Sequence, residues 1–123
     1  MALIALTEEN FEQTVTDNDI VIIDFWAPWC GPCKSFGPIF EKTSENFPDI
    51  TFAKINTEEQ QALAGHFHIR SIPTTTILKE QIVVFHQPGV LPEEALTDIL
   101  GQVQALDMDK VREEIKEQQA KQQ

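Results

Sequence analysis

The chain has 123 residues, a formal net charge of −11 and 41% hydrophobic residues, which predict a single soluble domain with one hydrophobic core. The excess of acids argues against nucleic acid or an anionic membrane as a partner, because both are bound through clustered Lys and Arg. The sequence has no apolar run near the ~20 residues of a membrane span and no basic N-terminal region of a secretory signal, so we expect a cytoplasmic protein.

The first half of the chain alternates strand and helix signals. The apolar run at 2–6 predicts a strand, and TEENFEQTV after it predicts a helix with Thr7 as N-cap and Asn10 at the capping-box position. The run DIVIIDFWA at 19–27 is almost entirely apolar and rich in β-branched residues. Such a run is typical of a strand that a parallel sheet buries on both faces.

A second helix is predicted to begin near Pro32, because proline is favoured in the first turn of a helix. Pro38 lies inside this helix and is expected to kink it, since proline removes one backbone hydrogen bond. The residues at helical spacing that we expect to face the core are Phe36, Ile39, Phe40, Thr43 and Phe47. A third strand is then predicted at 49–56, followed by a short helix with Thr57 as N-cap that ends near Gly65.

The remaining elements are a hairpin and a helix. Strands are predicted at 74–79 and 82–86, and a helix at 92–106 begins with a proline and two acids. The link Glu80-Gln81 lacks the Gly or Asn that two-residue turns favour, so we expect a wider loop or a strained turn. The order βαβαβαββα favours an α/β fold, in which helices cover both faces of a mixed sheet and the hairpin adds an antiparallel edge.

Residues 1–106 are expected to form the domain and 107–123 a C-terminal extension. The extension is rich in charged residues and Gln, and Met108, Val111 and Ile115 give it only a thin apolar stripe. Two interpretations are open at this point. The extension is either a solvated helix that frays toward its end, or a helix that binds a partner or a second copy.

The stretch FWAPWCGPCKSF at 25–36 holds both cysteines of the chain, Cys30 and Cys33. A zinc site is disfavoured, because it needs about four ligands and the sequence has no second cysteine pair. A purely structural bridge is disfavoured as well, since so small a loop removes little entropy from the unfolded chain. A redox pair explains more of the neighbouring residues, so no metal site is predicted.

The helix that begins at Pro32 gives the two thiols unequal positions. Cys30 lies at its N-terminal end, where free N–H groups and a partial positive charge stabilise a thiolate. Cys33 lies one turn further along, within reach of the Cys30 sulfur. We therefore expect Cys30 to be the exposed nucleophile that attacks a substrate disulfide, and Cys33 to be the buried thiol that resolves the mixed disulfide.

Asp24 and Lys54 are charged residues within otherwise apolar strands. If Asp24 is buried, its pKa is raised, and a carboxyl that titrates near neutrality can accept the Cys33 proton; the alternative is a carboxylate at a strand end that reaches solvent. Lys54 pairs with Asp24 if their strands are neighbours, or else it is a surface lysine with its stem on apolar neighbours. In RSIPTTT at 70–76, Pro73 either forms a cis peptide bond or is an ordinary proline at a strand entry.

Together these motifs resemble the thioredoxin family. The motifs are WCGPCK after DFWA, the proline inside the helix KSFGPIFEK, IPT before a strand and PGV before the last helix, in the family's order over residues 3–106. A C-x-x-C pair near a βαβ pattern is the general motif of thioredoxin-like redox proteins. Pro28, the Glu80-Gln81 link and Pro88 depart from the common family pattern, and they leave the choice of partners open.

The resemblance implies a five-stranded sheet in the order 1-3-2-4-5, which makes the strands of Asp24 and Lys54 neighbours. It implies that Asp24 accepts the Cys33 proton and that Pro73 is cis and lies against the cysteines. It also implies that the backbone of Ile72 pairs with an extended substrate segment. The flat apolar contact surface that it implies around the attacking thiol consists of Trp29, Gly31, Pro32, Ile72, Gly89 and Val90.

The activity implied by the resemblance is the reduction of disulfides in protein substrates, with no bound cofactor. A separate NADPH-dependent thioredoxin reductase is expected to recharge the Cys30–Cys33 pair, and we expect a monomer whose partners are that reductase and disulfide-containing proteins. Gly31-Pro32 between the thiols resembles the reductants of the family. Two other functions stay open: an interaction module that uses the flat surface or the extension, and a disulfide donor in an oxidising compartment.

Overall fold

The computed structural model describes residues 3–121. Ala2, where the first strand was predicted to begin, lies outside the described residues, as do Met1 and the last two residues of the extension. Within the described range, the strands are Ile4–Ala5 (β1), Ile20–Trp26 (β2), Thr51–Asn56 (β3), Thr74–Lys79 (β4) and Ile82–Pro88 (β5). The helices are Phe11–Asp17 (α1), Gly31–Ser44 (α2), Gln61–His66 (α3), Glu93–Ala105 (α4) and Met108–Lys121 (α5).

The strands form one sheet in the order β1-β3-β2-β4-β5. β1 and β2 run parallel to β3, whereas β4 runs antiparallel to both β2 and β5. The predicted α/β fold and its strand order are therefore confirmed. β2 is the central strand of the sheet. Every residue from Ile20 to Phe25 is buried, because strands lie on both sides of β2 and helices cover both faces.

Successive residues of β2 point into two different cores. Ile22 packs in one core with Phe36 of α2 and Leu100 of α4. Phe25 packs in the other core, which α1 and α3 cover. Because side chains alternate along a strand, Asp24 shares the face of Ile22 and points toward α2.

The helix α1 begins later than the sequence predicts, at Phe11 rather than just after Thr7. The expected capping pair forms nonetheless in the turn before it. The Thr7 backbone N–H donates to Asn10 Oδ1 at 2.8 Å, and the Asn10 N–H donates to Thr7 Oγ1 at 3.4 Å. The reciprocal bonds satisfy the first free N–H groups, and regular helix follows only after them.

The prediction of Thr57 as the N-cap of α3 is wrong. The helix begins at Gln61, and Asn56 Oδ1 accepts the N–H groups of Glu58 and Glu59 at 3.0 and 3.4 Å. The Thr57 hydroxyl donates instead to the backbone carbonyl of Trp26 at 3.0 Å. An Asx turn therefore ends β3 before the helix can start.

The hairpin between β4 and β5 has the tight two-residue link Glu80-Gln81, so the structure shows the strained turn of the two expected alternatives and not the wider loop. Both residues lie in the left-handed region, with φ of 51° and 68°. This is the strained alternative, because non-glycine residues there cost roughly 1–2 kcal/mol each. Two contacts hold the turn: the Glu80 N–H donates to the Asp19 carbonyl at 2.8 Å, and Arg112 of α5 donates to the Glu80 carboxylate at 2.7 Å.

The helix α2 buries the predicted face, with Pro38 inside it. Phe36, Phe40 and Thr43 are buried and Ile39 is half-buried. Phe47 also packs on this core, but it lies beyond the end of the helix at Ser44 and not on its stripe.

The extension forms α5, which follows α4 after only two residues. Its first residue, Met108, is buried, whereas Ile115 is 36% exposed. Lys79, which is also buried, donates from Nζ to the carbonyls of Val103, Gln104 and Leu106 at 2.8–3.1 Å and so ends α4 just before α5 begins. None of the helices in residues 3–121 is both long and apolar enough to cross a membrane.

Candidate active site

Cys30 and Cys33 are joined by a disulfide, with their Cα atoms 5.2 Å apart. β2 ends just before them, and the Cys30 N–H donates to the Ala27 carbonyl at 3.2 Å in the turn that leads to α2. Cys30 has the extended backbone of an N-cap (φ −85°, ψ 113°), and the Cys33 N–H donates to Cys30 Sγ at 3.2 Å. Cys30 therefore takes the capping position that Ser or Asp usually occupies, and its sulfur accepts a free N–H of the helix.

The expectation that Cys30 is more exposed than Cys33 is wrong for this oxidised form. The two residues are 4% and 5% exposed. Both lie in a small cluster with Ala27, against which Trp26 and Ile72 pack. What distinguishes the sulfurs here is their place on α2, since Cys30 caps the helix and Cys33 lies within its first turn.

The peptide bond Ile72–Pro73 is cis, as the resemblance implies. Cys30 Sγ lies 3.7 Å from the carbonyl oxygen of Ile72, so the segment before β4 lies directly against the disulfide. Pro73 is buried, and its carbonyl accepts the Gly89 N–H at 2.8 Å. This bond holds Gly89, whose φ of 103° favours glycine, beside the same segment.

Three separate parts of the chain therefore present the predicted contact residues near the disulfide. Trp29 is 67% exposed and Val90 is 41% exposed. Gly31, Pro32 and Gly89 are also exposed, and Ile72 is half-buried.

Glu58 is a contact of this surface that the sequence did not predict. The Trp29 indole Nε1 donates to the Glu58 carboxylate. The backbone of Glu58 is in turn held by Asn56, which places its side chain beside the indole. Trp29 also borders a cleft of about 380 Å³ that Ile72 and Arg70 line on the other side. In the sequence, Glu58 looks like any acid before a helix, so only the Asx turn could have indicated its position.

Asp24 is fully buried, which excludes the alternative of a solvent-exposed carboxylate. Burial raises the pKa of Asp24 from its ordinary value of 3.8 to about 6, and the nearby charge of Lys54 counteracts part of this effect. Neither oxygen of Asp24 has a hydrogen-bond partner within residues 3–121. The carboxyl is therefore a proton site close to neutrality inside the core.

Lys54 lies directly opposite Asp24 in the β2–β3 register, as expected from neighbouring strands. Its Nζ lies 4.8 Å from the centre of the Trp26 ring, and the side chain is half-buried. In the described part of the chain, no ion pair within 4 Å joins it to Asp24. Lys54 therefore acts on Asp24 through space while its ammonium rests on an aromatic face.

Among residues 3–121, no group of three His, Cys, Asp or Glu side chains is placed to hold a metal ion. The groups that the structure places around the disulfide are the Ile72 carbonyl and the exposed Trp29 indole.

Comparison with known proteins agrees with this geometry. The thioredoxin family model matches residues 2–102. "Putative thioredoxin 2" of Streptomyces coelicolor is 61% identical over 95% of this chain and 87% of its own length, and the thioredoxin of Bacillus subtilis is 38% identical over 82% and 97%. The crystal structure of chloroplastic thioredoxin z superposes with a TM-score of 0.78 at 26% identity over 86% of this chain and 97% of its own. A mutant thioredoxin from Halobacterium salinarum does so with 0.74 at 33% identity over 80% and 91%. The chain belongs to the thioredoxin family and is a protein-disulfide reductase with a redox-active Cys30–Cys33 disulfide.

Proposed function

We propose that Cys30 is the nucleophile and Cys33 the resolving thiol. In the reduced protein, the Cys30 thiolate attacks one sulfur of a substrate disulfide, and the other substrate sulfur leaves as a thiolate. Cys33 then attacks Cys30 Sγ, the substrate's second sulfur leaves, and the Cys30–Cys33 disulfide forms with two electrons passed to the substrate. The N-cap position of Cys30, where its sulfur accepts the Cys33 N–H at 3.2 Å, is the observation that carries this proposal.

In the same proposal, Asp24 accepts the proton of the Cys33 thiol as Cys33 attacks. A carboxyl with a pKa of about 6 is largely ionised at neutral pH and still basic enough to take a proton. Lys54 adjusts this basicity, because its positive charge favours the ionised carboxylate.

The substrate is proposed to lie as an extended segment across the exposed residues around Cys30. The backbone at Ile72 would pair with the segment, as in the addition of a strand to a sheet edge. The flat rim of Trp29, Gly31, Pro32, Gly89 and Val90, together with Pro73 beneath it, would contact its side chains. The exposed apolar side chains of Trp29 and Val90 at this site support recognition of protein surfaces that carry a disulfide.

The reduced form is proposed to be regenerated by a separate NADPH-dependent thioredoxin reductase, in the cytoplasm. The Gly31-Pro32 pair between the thiols supports a reductant, and a reductant needs such an electron source. We further propose that the protein acts as a monomer, and that residues 1–106 carry the redox activity while 107–123 are an extension that the reaction does not use.

A coupled assay tests this function. The protein, a thioredoxin reductase and NADPH are mixed with insulin, and oxidation of NADPH is followed by its near-ultraviolet absorbance. We expect turnover that depends on all components and is lost in Cys30→Ser. If Cys30→Ser turns over insulin as fast as the unchanged protein, the proposed chemistry is wrong.

A further inference from the structure

We propose that Thr75 is a positioning residue for Asp24: its hydroxyl is linked to the buried carboxyl by hydrogen bonds through one water molecule, in both protonation states. The inference rests on the proposed role of Asp24 as proton acceptor. Thr75 does not touch the sulfurs in this proposal, and it acts only through the carboxyl.

The first observation concerns buried side-chain oxygens that lack a hydrogen-bond partner. Within residues 3–121, the fully buried side-chain oxygens without a hydrogen-bond partner are the two of Asp24 and Oγ1 of Thr75. Both residues have no exposed surface. Since buried polar groups are nearly always hydrogen-bonded, these atoms require a partner that the other side chains of the described residues do not supply.

The second observation is that Asp24 and Thr75 are direct partners in the antiparallel β2–β4 register. Side chains of such a pair lie on the same face, with Cβ atoms about 5 Å apart. No direct hydrogen bond joins the two groups within the described residues, so one water molecule between them completes the contact at that separation.

The two neighbouring threonines have other partners. Thr74 Oγ1 donates to the Ser71 carbonyl at 2.6 Å, and Thr76 Oγ1 lies 2.9 Å from His86 Nδ1. Both point to the opposite face of the sheet from Thr75, because side chains alternate along a strand. Of the three consecutive threonines, Thr75 alone faces the carboxyl.

The groups around Asp24 leave this role to Thr75. Lys54 faces it from β3, and Gly37 of α2 lies near the Lys54 ammonium, since a Cβ there would be 3.9 Å from Nζ. On the other side, β4 presents Thr75, and beyond it β5 presents the uncharged and exposed Gln87. A lysine can only donate a hydrogen bond, whereas a hydroxyl and its bridging water can donate toward the carboxylate and accept from the protonated carboxyl. Thr75 therefore suits a group that gains and loses a proton in each cycle.

The test compares Thr75→Val, which keeps the shape and removes the hydroxyl, with Thr75→Ser, which keeps the hydroxyl. The Asp24 carboxyl is titrated by carbon NMR in the reduced protein, and the resolving step is timed from a preformed mixed disulfide between about pH 5 and 8, which brackets the titration. We expect Thr75→Val to raise the pKa of Asp24 by about one pH unit. The ionised fraction of Asp24 then falls, so the resolving step slows about tenfold at about pH 5 and less than about twofold at about pH 8. Thr75→Ser is expected to keep the original values.

Both threonine variants are also made in the Asp24→Asn protein, where they are expected to resolve at equal rates. If Thr75→Val leaves the titration and the pH profile unchanged while Asp24→Asn slows the resolving step, the inference is wrong and the proposed function stands. If Asp24→Asn does not slow that step, the proposed role of Asp24 fails, and the titration still decides whether the hydroxyl contacts the carboxyl. If Thr75→Val still slows the resolving step in the Asp24→Asn protein, the effect is purely structural and the inference is overturned. If Thr75→Val does not fold, Thr75→Ala takes its place.

Discussion

The buried carboxyl of Asp24 is expected to make the free energy of unfolding depend on pH. The unfolded chain ionises this group near its ordinary pKa of 3.8, whereas the folded protein holds it protonated up to about pH 6. Between these values the folded state binds more protons than the unfolded state, so raising the pH destabilises the fold. The difference of about two pH units corresponds to roughly 3 kcal/mol, all of which is lost above about pH 6.

Asp24→Asn removes the charge and keeps the shape. We expect the variant to be more stable than the unchanged protein by up to about 3 kcal/mol at about pH 7.5, and about equal to it at about pH 3.5, where both carry an uncharged side chain. The measurement is urea unfolding of the oxidised proteins at half-unit steps of pH.

An exposed aspartate gives the matched control. Asp49→Asn also removes one negative charge, but from the surface beside β3, so it reports the effect of net charge alone. Asp49→Asn is expected to change the free energy of unfolding by less than about 0.5 kcal/mol at every pH. A stability gain of Asp24→Asn that is constant across pH, or a loss at about pH 7.5, would refute the assignment of a buried carboxyl with a raised pKa.

Three further predictions concern Lys54, Lys79 and the extension. Lys54→Met removes the charge that lowers the pKa of Asp24, so that pKa is expected to rise above about 6 in a carbon NMR titration. The control is Lys34→Met, which removes the charge of an exposed lysine on α2 and is expected to leave the pKa of Asp24 unchanged. Lys79→Met leaves three carbonyls at the end of α4 without their donor and is expected to cost about 1–3 kcal/mol in urea unfolding, with equal stability refuting this role. Removal of 107–123 exposes the apolar surface that Met108 covers and is expected to cost about 2 kcal/mol in urea unfolding. Insulin reduction is expected to stay within about twofold, because α5 lies against the hairpin end of β5, far from Gly89, and a large loss of turnover would contradict this.

Much of the fold could be predicted from the sequence, because the apolar run of β2 indicates a strand in the middle of a covered sheet. The buried run around Asp24 requires a central position in a sheet with helices on both faces, and the resemblance around Cys30 and Cys33 supplied the strand order. The cis bond before Pro73 followed from the same resemblance. From the residues alone, it had been an open alternative to an ordinary strand-entry proline.

Other features depend on contacts between distant residues, which local patterns do not contain. Asn56 and Thr57 are both residue types that cap helices well. The Thr57 hydroxyl donates to the carbonyl of Trp26, so Asn56 and not Thr57 caps the turn. The left-handed link after β4 is held by Arg112, 32 residues away. The equal burial of the two cysteines follows from packing against Ile72, and the facing of Asp24 and Thr75 follows from strand register.

The proposed mechanism requires that Cys30 attacks the substrate disulfide and that Cys33 resolves the mixed disulfide. The most direct measurement is mass spectrometry of mixed disulfides, after Cys33→Ser and Cys30→Ser proteins are each incubated with oxidised insulin and quenched with acid. We expect Cys33→Ser to accumulate a covalent adduct on Cys30, because nothing resolves it, and Cys30→Ser to accumulate little adduct on Cys33. Equal adducts on both cysteines, or an adduct mainly on Cys33, would contradict the unequal roles of the two sulfurs.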